Sequence, residues 1–541
     1  MTSDTQLHEL LRGAAWLPED VRRADRYTPI DEAPLGSDTT LFLVSVVGGP
    51  AHGRLLFVPA HTDMTGRLAD AQGSEAFDLA CVRLMAAGGR IPTARGGHVE
   101  FRGGGATARA VSLLPFAQGW SSNSLSLLDI DGRPHLHKAY RTLGAEVREP
   151  ELLRLMNGSG HTPRWFGDYG YVPPGGADRL ALGVVYTYTP GSGIDTPLRA
   201  NLRALWPRLT GDATGSREPG GADDTGGSGG LDGLVREHLA PLADPLRTAR
   251  SFLGGFHEEL RTRLGRGTPP PDYPIERVLR AAEERCHALA ERAREGVELP
   301  PAALEKAFCS LTSEIELLRA AFDATGTHPA GPCHGDLHLS HLLWDPPRLI
   351  DISTPGTGPD QPGWAEQSPL EDLVALGRAL EYFSADEAAY ESARLLGADS
   401  TETMLASLDG GADMPPRERS VLLLVFEAAD RWRRQVAGLL LTRDGSEGSG
   451  GSNRSDGTDG TGGTDGTGGT GGTGGTGGTF AGPERGLPDE PLRRLLYLRR
   501  LLHELDYNFA HARPYHAAID LRHAMALGLP SPLPLTLTTR T

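Results

Sequence analysis

Short apolar runs separated by glycine-rich breaks fill the first third of the chain. LFLVSVV (41–47) and RLLFVP (54–59) are strand-length runs joined by GGPAHG, which has the composition of a hairpin turn. Strand-like stretches follow near 98–102 and 108–115, and residues 120–143 carry two strand patterns on either side of the turn signal Asp131-Gly132. A helix is expected from about Pro150 (PELLRLMNG), with proline at its start and glycine at its end. LALGVVYTY (180–188) reads as a continuous apolar strand closed by Thr189-Pro190-Gly191. Further on the period lengthens from about 2 to about 3.6. Helices are expected over 232–265, 275–296, 302–325, 370–383, 416–441 and 487–527. A β-rich half thus precedes a helical half, the pattern of an α+β chain with two lobes.

Two stretches interrupt this pattern. Residues 211–231 are rich in glycine and polar residues, and 443–482 ends in repeated GGT and DGT units. Neither holds enough apolar surface to offset its own ordering entropy, so a flexible insertion and a disordered linker are expected. The 38% hydrophobic content of the whole chain is low mainly because of them, and the rest can still build a sizeable core. Acidic residues outnumber basic ones 70 to 53, a net charge of −17. Such a surface disfavours non-specific binding to nucleic acid or an anionic membrane, and neither is expected as a partner.

Cys81, Cys286, Cys309 and Cys333 are widely spaced, without the pairing a metal site requires, and read as free thiols in a reducing compartment. The first residues lack the basic-then-apolar profile of a secretory leader, and no window approaches the roughly 20 apolar residues of a membrane span. A soluble, cytoplasmic protein is expected. Of the 53 basic residues only Lys138 and Lys306 are lysines.

The segment richest in chemistry is CHGDLHLSHLLWDPPRLIDIS (333–353). It opens with His334-Gly335-Asp336, passes through an apolar run, turns at Asp345-Pro346-Pro347 and returns through Leu349-Ile350-Asp351. Two carboxylates are thereby brought to neighbouring ends of a short hairpin. Phosphoryl transfer uses such a pair: one orients the acceptor hydroxyl and accepts its proton, while the other holds a divalent cation on the nucleotide phosphates. Taken alone, Asp336 reads equally as a turn or helix-capping aspartate.

These residues resemble the catalytic loop of aminoglycoside-phosphotransferase-like kinases, in which HGD is followed by an amide and later by a second Asp. More closely, they are similar to actinobacterial maltokinases and glucosamine kinases, whose loop has the form HGD-x-H-x-x-Q. The resemblance makes Asp336 the catalytic base and Asp351 a metal ligand, with His341 in the place of the amide and His338 on the substrate side. SPLEDLVALGRALEYF (368–383) resembles a family helix and implies substrate roles for Asp372 and Arg378, which could equally form an ion pair on a helix face. SSNSL (121–125) resembles the turn laid over the phosphates, implicating Ser122, Asn123 and Ser124. LHKAYRTL (136–143) resembles the strand bearing the phosphate-binding lysine, here Lys138, and PELLRL (150–155) the next helix, so that Glu151 is expected to pair with Lys138. HELDYNFAHARPY (503–515) resembles a C-terminal stretch of maltokinases and puts Glu504 and Asp506 at the acceptor.

The resemblance runs from about residue 108 to about 525, outside both glycine-rich tracts. It implies a two-lobed protein-kinase-like fold of the α+β class with an N-terminal β-rich cap (1–105). After the cap come a small lobe (106–210), the insertion (211–231), a helical large lobe with the catalytic loop (232–442), the disordered insertion (443–482) and C-terminal helices (483–541). ATP and Mg²⁺ are the implied cofactors, and a sugar or amino sugar, glucosamine or maltose above all, the implied acceptor.

Two positions depart from the family pattern. His341 replaces a glutamine or asparagine, and Ser353 replaces an acid. Imidazole suits softer ions than Mg²⁺, which brings in Mn²⁺ as an alternative. A pseudokinase that binds nucleotide or sugar without efficient transfer is the rival reading. A third keeps the chemistry but takes an aminoglycoside-type acceptor.

Overall fold

In the computed structural model the chain is described at residues 3–105, 107–118, 121–144, 147–176, 178–214, 228–264, 271–296, 301–325, 327–352, 366–398, 400–401, 404, 414–441, 490–511 and 513–527. The 443–482 tract and Ser353 lie outside the described residues. Of the 211–231 stretch, residues 211–214 and 228–231 continue helices.

Twelve strands of the first half form two antiparallel sheets. They are β1 (Arg26–Leu35), β2 (Thr39–Val47), β3 (Leu55–Thr62), β4 (Leu68–Asp70), β5 (Arg90–Pro92), β6 (His98–Gly103), β7 (Val111–Leu114), β8 (Ser124–Ile130), β9 (Arg133–Ala139), β10 (Thr142–Leu143), β11 (Trp165–Val172) and β12 (Leu180–Thr187). One sheet has the order β1-β2-β3-β10 with β4 beside β3, and the other β5-β6-β11-β12-β9-β8-β7. The expected 41–47/54–59 hairpin is β2–β3, with Val44 opposite Leu56.

A boundary at residue 105 does not separate these sheets. β5 and β6 lie in the sheet that carries β9 and Lys138, while β10, just beyond Lys138, joins the sheet of β1 to β3. Leu43, Phe57, Phe77, Phe101 and Tyr169 from both sheets and the Glu75–Ala87 helix share one core. β11 was not expected from the sequence, because Gly167 and Gly170 interrupt its apolar run. Gly167 is needed there: a Cβ would lie 2.6 Å from the Arg102 carbonyl oxygen of β6.

The second half is helical: Asp195–Thr214, Ser228–Leu264, Ile275–Gly296, Pro301–Thr325, Pro369–Leu396, Pro416–Leu441, Glu490–Ala510 and Pro514–Met525. The expected 487–527 helix is two helices. Proline at 514 starts the second, and its ring drives Arg513 out of helical geometry to φ −107°, ψ 70°. The 370–383 helix continues to Leu396 and opens with a Ser368/Glu371 capping box. Among the described residues no helix is long and apolar enough to cross a membrane.

Between the halves lies a small hairpin, β13 (Leu342–Trp344) and β14 (Pro347–Leu349). It is clipped to the segment after β12, where Ile194 N donates to Leu342 O at 2.8 Å and Trp344 N to Ser192 O at 3.1 Å. The loop preceding this hairpin carries Asp336, and the chain leaving it carries Asp351.

Candidate active site

The HGD loop is fixed from below by one buried carboxylate. Asp372, in the first turn of Pro369–Leu396 and 1% exposed, accepts the backbone N–H of His334 at 2.8 Å and that of Gly335 at 2.9 Å. His257 Nε2 bonds the same carboxylate at 2.8 Å. Burial works against its charge, but His257 and the His334 ring and backbone N–H outweigh burial and hold its acidity below the ordinary carboxylate range. Gly335 has φ +91°, a conformation open to glycine and strained for other residues. His334, fully buried, bonds the Ile350 carbonyl at 3.0 Å and so ties the loop to the chain just before Asp351. Asp372 therefore positions the loop, which corrects its expected place at the substrate.

Asp336 emerges from this loop into the cleft, its side chain 38% exposed. His338 Nε2 lies 3.1 Å and an Arg500 guanidinium nitrogen 3.4 Å from Asp336 Oδ1. Desolvation alone would raise its pKa; His338, Arg500 and His341 together push it well below the usual range. Asp336 is accordingly ionised at neutral pH.

His341 closes the 3₁₀ turn Leu339–His341, with Nδ1 3.0 Å from the Asp336 carbonyl oxygen. A carbonyl only accepts, so the proton is assigned to Nδ1. Burial chiefly pushes the ring's pKa down to about 4, leaving it neutral. The Nε2 lone pair then faces Asp351 Oδ2 at 3.5 Å. Two acceptors pointing at one another suit a cation bound by both, and the donor set of one imidazole nitrogen and one carboxylate fits a divalent metal.

Asp351 has φ +54°, a left-handed conformation that non-glycine residues seldom adopt, aspartate among the least penalised. Its carboxylate bonds the Lys138 ammonium, which also lies 2.8 Å from Glu149 Oε2. Lys138 is 5% exposed. Burial opposes its charge, but Glu149 and Asp351 outweigh that cost and hold the ammonium protonated well above its ordinary range. The lysine's helix partner is thus Glu149 and not Glu151. The two are about 200° apart on a helix, so only one can face the cleft. Glu151 is half-exposed and bonds Arg148.

Ser122, Asn123, Lys138, Glu149, Asp336 and Asp351 line a cavity of 550 Å³. Ser124 does not share it. As the first inward position of β8 it is 7% exposed, its hydroxyl turned toward Gly73.

A second cavity of 480 Å³ shares Asp336 and His338 with the first, and its far wall includes Tyr382, Arg500, Glu504, Tyr507 and Arg513. Glu504 is here as expected, but both its oxygens are occupied: Oε2 accepts from Arg378 Nε at 2.8 Å and Oε1 from Arg500 Nε at 2.7 Å. Arg378 is fully buried behind it, paired also with Glu381 and Asp520. It holds the wall and does not reach the cleft. Asp506 lies on another face and pairs with Arg292.

Sequence reasoning missed Arg500, His503, Tyr507 and Asn508. They recur with Glu504 at positions 500, 503, 504, 507 and 508, a polar stripe at helical spacing on an otherwise leucine-rich helix. Another cavity, of 780 Å³, lies elsewhere, between Ile275–Gly296 and Pro301–Thr325, and touches neither Asp336 nor Lys138.

Residues 226–359 match a family model described as the phosphotransferase enzyme family. No curated protein matches the sequence. Among solved structures, a glucosamine kinase (crystal form B) is matched at TM-score 0.50 and 17% identity, over 95% of this chain and 97% of that one. A glucosamine kinase in complex with glucosamine, ADP and inorganic phosphate is matched at 0.48 and 16%, over 95% and 97%. The apo form of a thermostable aminoglycoside phosphotransferase mutant is matched at 0.31 and 11%, over 77% and 94%. The first of these shares the fold with this chain, and the matched family segment holds both Asp336 and Asp351. The segment around Asp336 and Asp351 therefore matches the phosphotransferase enzyme family, and the chain as a whole has an α+β kinase-like fold.

Proposed function

We propose that this protein is an ATP-dependent phosphotransferase of the cytoplasm that moves the γ-phosphoryl group of ATP to a hydroxyl of a sugar. The supporting observation is the place of Asp336, at the one edge where the two cavities meet. Asp336 orients the acceptor hydroxyl and takes its proton as the acceptor oxygen bonds the γ-phosphorus. The bond from phosphorus to the β–γ bridging oxygen breaks, and ADP leaves. A carboxylate held below its ordinary pKa is a weak base, so Asp336 contributes mainly by orientation, which suits a reaction governed by positioning and charge.

Lys138, braced by Glu149, steadies the phosphates, and the backbone around Ser122 and Asn123 offers N–H groups to them. Asp351 and His341 Nε2 would hold the divalent cation, which neutralises phosphate charge when bound. A nitrogen ligand shifts the preference from Mg²⁺ toward Mn²⁺. Family resemblance favours glucosamine and maltose as acceptors.

The test is ADP release from the purified protein with ATP, in Mg²⁺ and separately in Mn²⁺. The acceptors are glucosamine, glucose, maltose and kanamycin, with Asp336→Asn as control. Acceptor-dependent release that Asp336→Asn abolishes is the expected result. Nucleotide or sugar binding without turnover in either metal would instead make the chain a pseudokinase, the reading that the histidine at 341 favours.

A further inference from the structure

We infer that the acceptor carries an anionic group, a carboxylate or a phosphate, seated against Arg513 on the far wall of the second cavity. This rests on the phosphotransferase reading above and adds the chemical class of its substrate.

The argument starts from what in that cavity is already spent. Glu504 has one arginine on each oxygen. Asp336 is engaged by His338 and Arg500 and is reserved for the reacting hydroxyl. Asp520, one layer behind, receives Arg378, Tyr382 and Asn508. An ammonium group entering this space would meet no free carboxylate and would have to displace an arginine from Glu504. A polycationic acceptor fares worse.

The cationic side is unspent. Arg513 is exposed, and among the described residues no carboxylate lies within ion-pair distance of it. Its contacts are the Tyr507 ring, 5.8 Å away, and His516 Nε2 at 3.5 Å. Asp386 feels its charge but lies beyond bonding distance. In a chain of net charge −17, an arginine that lines a cavity without pairing with a carboxylate is a departure from the surroundings. Its position adds a cost, since Arg513 caps the N-terminal end of Pro514–Met525, where the helix dipole disfavours a cation. A bound anion would offset both. A guanidinium presents paired N–H donors that match a carboxylate or phosphate in two-point contact. A cavity of 480 Å³ admits an acceptor of mono- or disaccharide size.

The experiment measures ADP release with glucose, glucosamine, glucuronate and glucose 6-phosphate, for wild type and Arg513→Gln. Calorimetric binding of the same four compounds runs in parallel. One acidic sugar should exceed glucose and glucosamine at least tenfold in kcat/KM and in affinity. Arg513→Gln should reduce the ratio of acidic to neutral acceptor about tenfold or more. Preference for glucuronate names the carboxylate, and preference for glucose 6-phosphate names the phosphate. Turnover that is equal or better with glucose or glucosamine overturns the inference and leaves the phosphotransferase reading intact. An unchanged acid-to-neutral ratio in Arg513→Gln also overturns it. No turnover with any acceptor, together with no preferential binding of an acidic sugar, overturns both.

Discussion

Asp336 has two unlike sides. On the side proposed for the nucleotide a single buried lysine stands between two carboxylates, Glu149 and Asp351, each delivered by a different stretch of chain. On the acceptor side arginines surround a carboxylate, with Arg378 and Arg500 on Glu504. The first arrangement depends on backbone shape. It needs the glycine at 335, the left-handed aspartate at 351 and the Asp372 tether to the loop. The second is displayed on helix faces whose backbone is indifferent to which side chain it carries. The difference separates what the reaction demands from what the acceptor demands. Residues on the helix faces can change without disturbing the loop.

Substitutions on the two sides should therefore fail differently. Lys138→Met removes the cation that stands between Glu149 and Asp351. It should lower kcat/KM for ATP by about 10²–10³-fold, with a smaller change in the acceptor KM. A larger acceptor effect would break the division. Arg378→Met takes one arginine away from each of the buried carboxylates Glu381, Glu504 and Asp520 and should cost about 3–5 kcal/mol in urea unfolding. The folded fraction should still bind ATP.

Asp372→Asn keeps an acceptor oxygen for only one of the two loop N–H groups and should cost about 1–3 kcal/mol, lowering kcat more than it raises the KM for ATP. The last expected effect is one of pH, at Asp520, where burial first and then the Glu504 charge raise the carboxyl pKa to about 7. A raised folded-state pKa means that the folded state binds the extra proton between about pH 4 and pH 7. The stabilising share of Asp520 is thus full at acid pH and is lost as pH rises through about 7. Relative to Asp520→Asn, wild-type stability should decline over that window by at most about 1.4 kcal/mol per pH unit and stay level above it. Thermal unfolding of both proteins across the pH range reads this directly.

The two sides were also unequally legible in the sequence. HGD and the later aspartate form a local pattern with fixed spacing, the lysine sits in a strand motif of its own upstream, and the fold brings Asp336, Asp351 and Lys138 to one cavity. Glu149 escaped because two glutamates flank Pro150, and choosing between them requires the helix phase, which the sequence leaves open by about one residue. Asp372 and Arg378 were given the wrong neighbours for a different reason. Burial is a property of the packed helix bundle and not of the motif. The acceptor wall left a trace, the 500-503-504-507-508 stripe, which reads as an ordinary solvated helix face until another element is laid over it. Arg513 carries no local signal, because its meaning comes from having no carboxylate beside it in the folded chain. The N-terminal sheets were partly visible as hairpins. Their interleaving was not, since the pairing of Thr142 with Leu56 joins residues far apart in sequence.

That interleaving gives the molecule a built-in indicator needle. The strand bearing Lys138 shares its sheet with His98–Gly103, and the next strand edges the N-terminal sheet. Arg141 adds a further pin, bonded to Asp70 at 2.6 Å and stacked on Trp16 at 3.8 Å. The lysine and the N-terminal half are therefore tied together by shared sheets and by this pin, and any closure of the cleft on a nucleotide would carry them together. Fully exposed Met64 lies in that N-terminal half. A dye fixed there, paired with one on the helical half, would report nucleotide arrival from a distance, with every residue of the site left native.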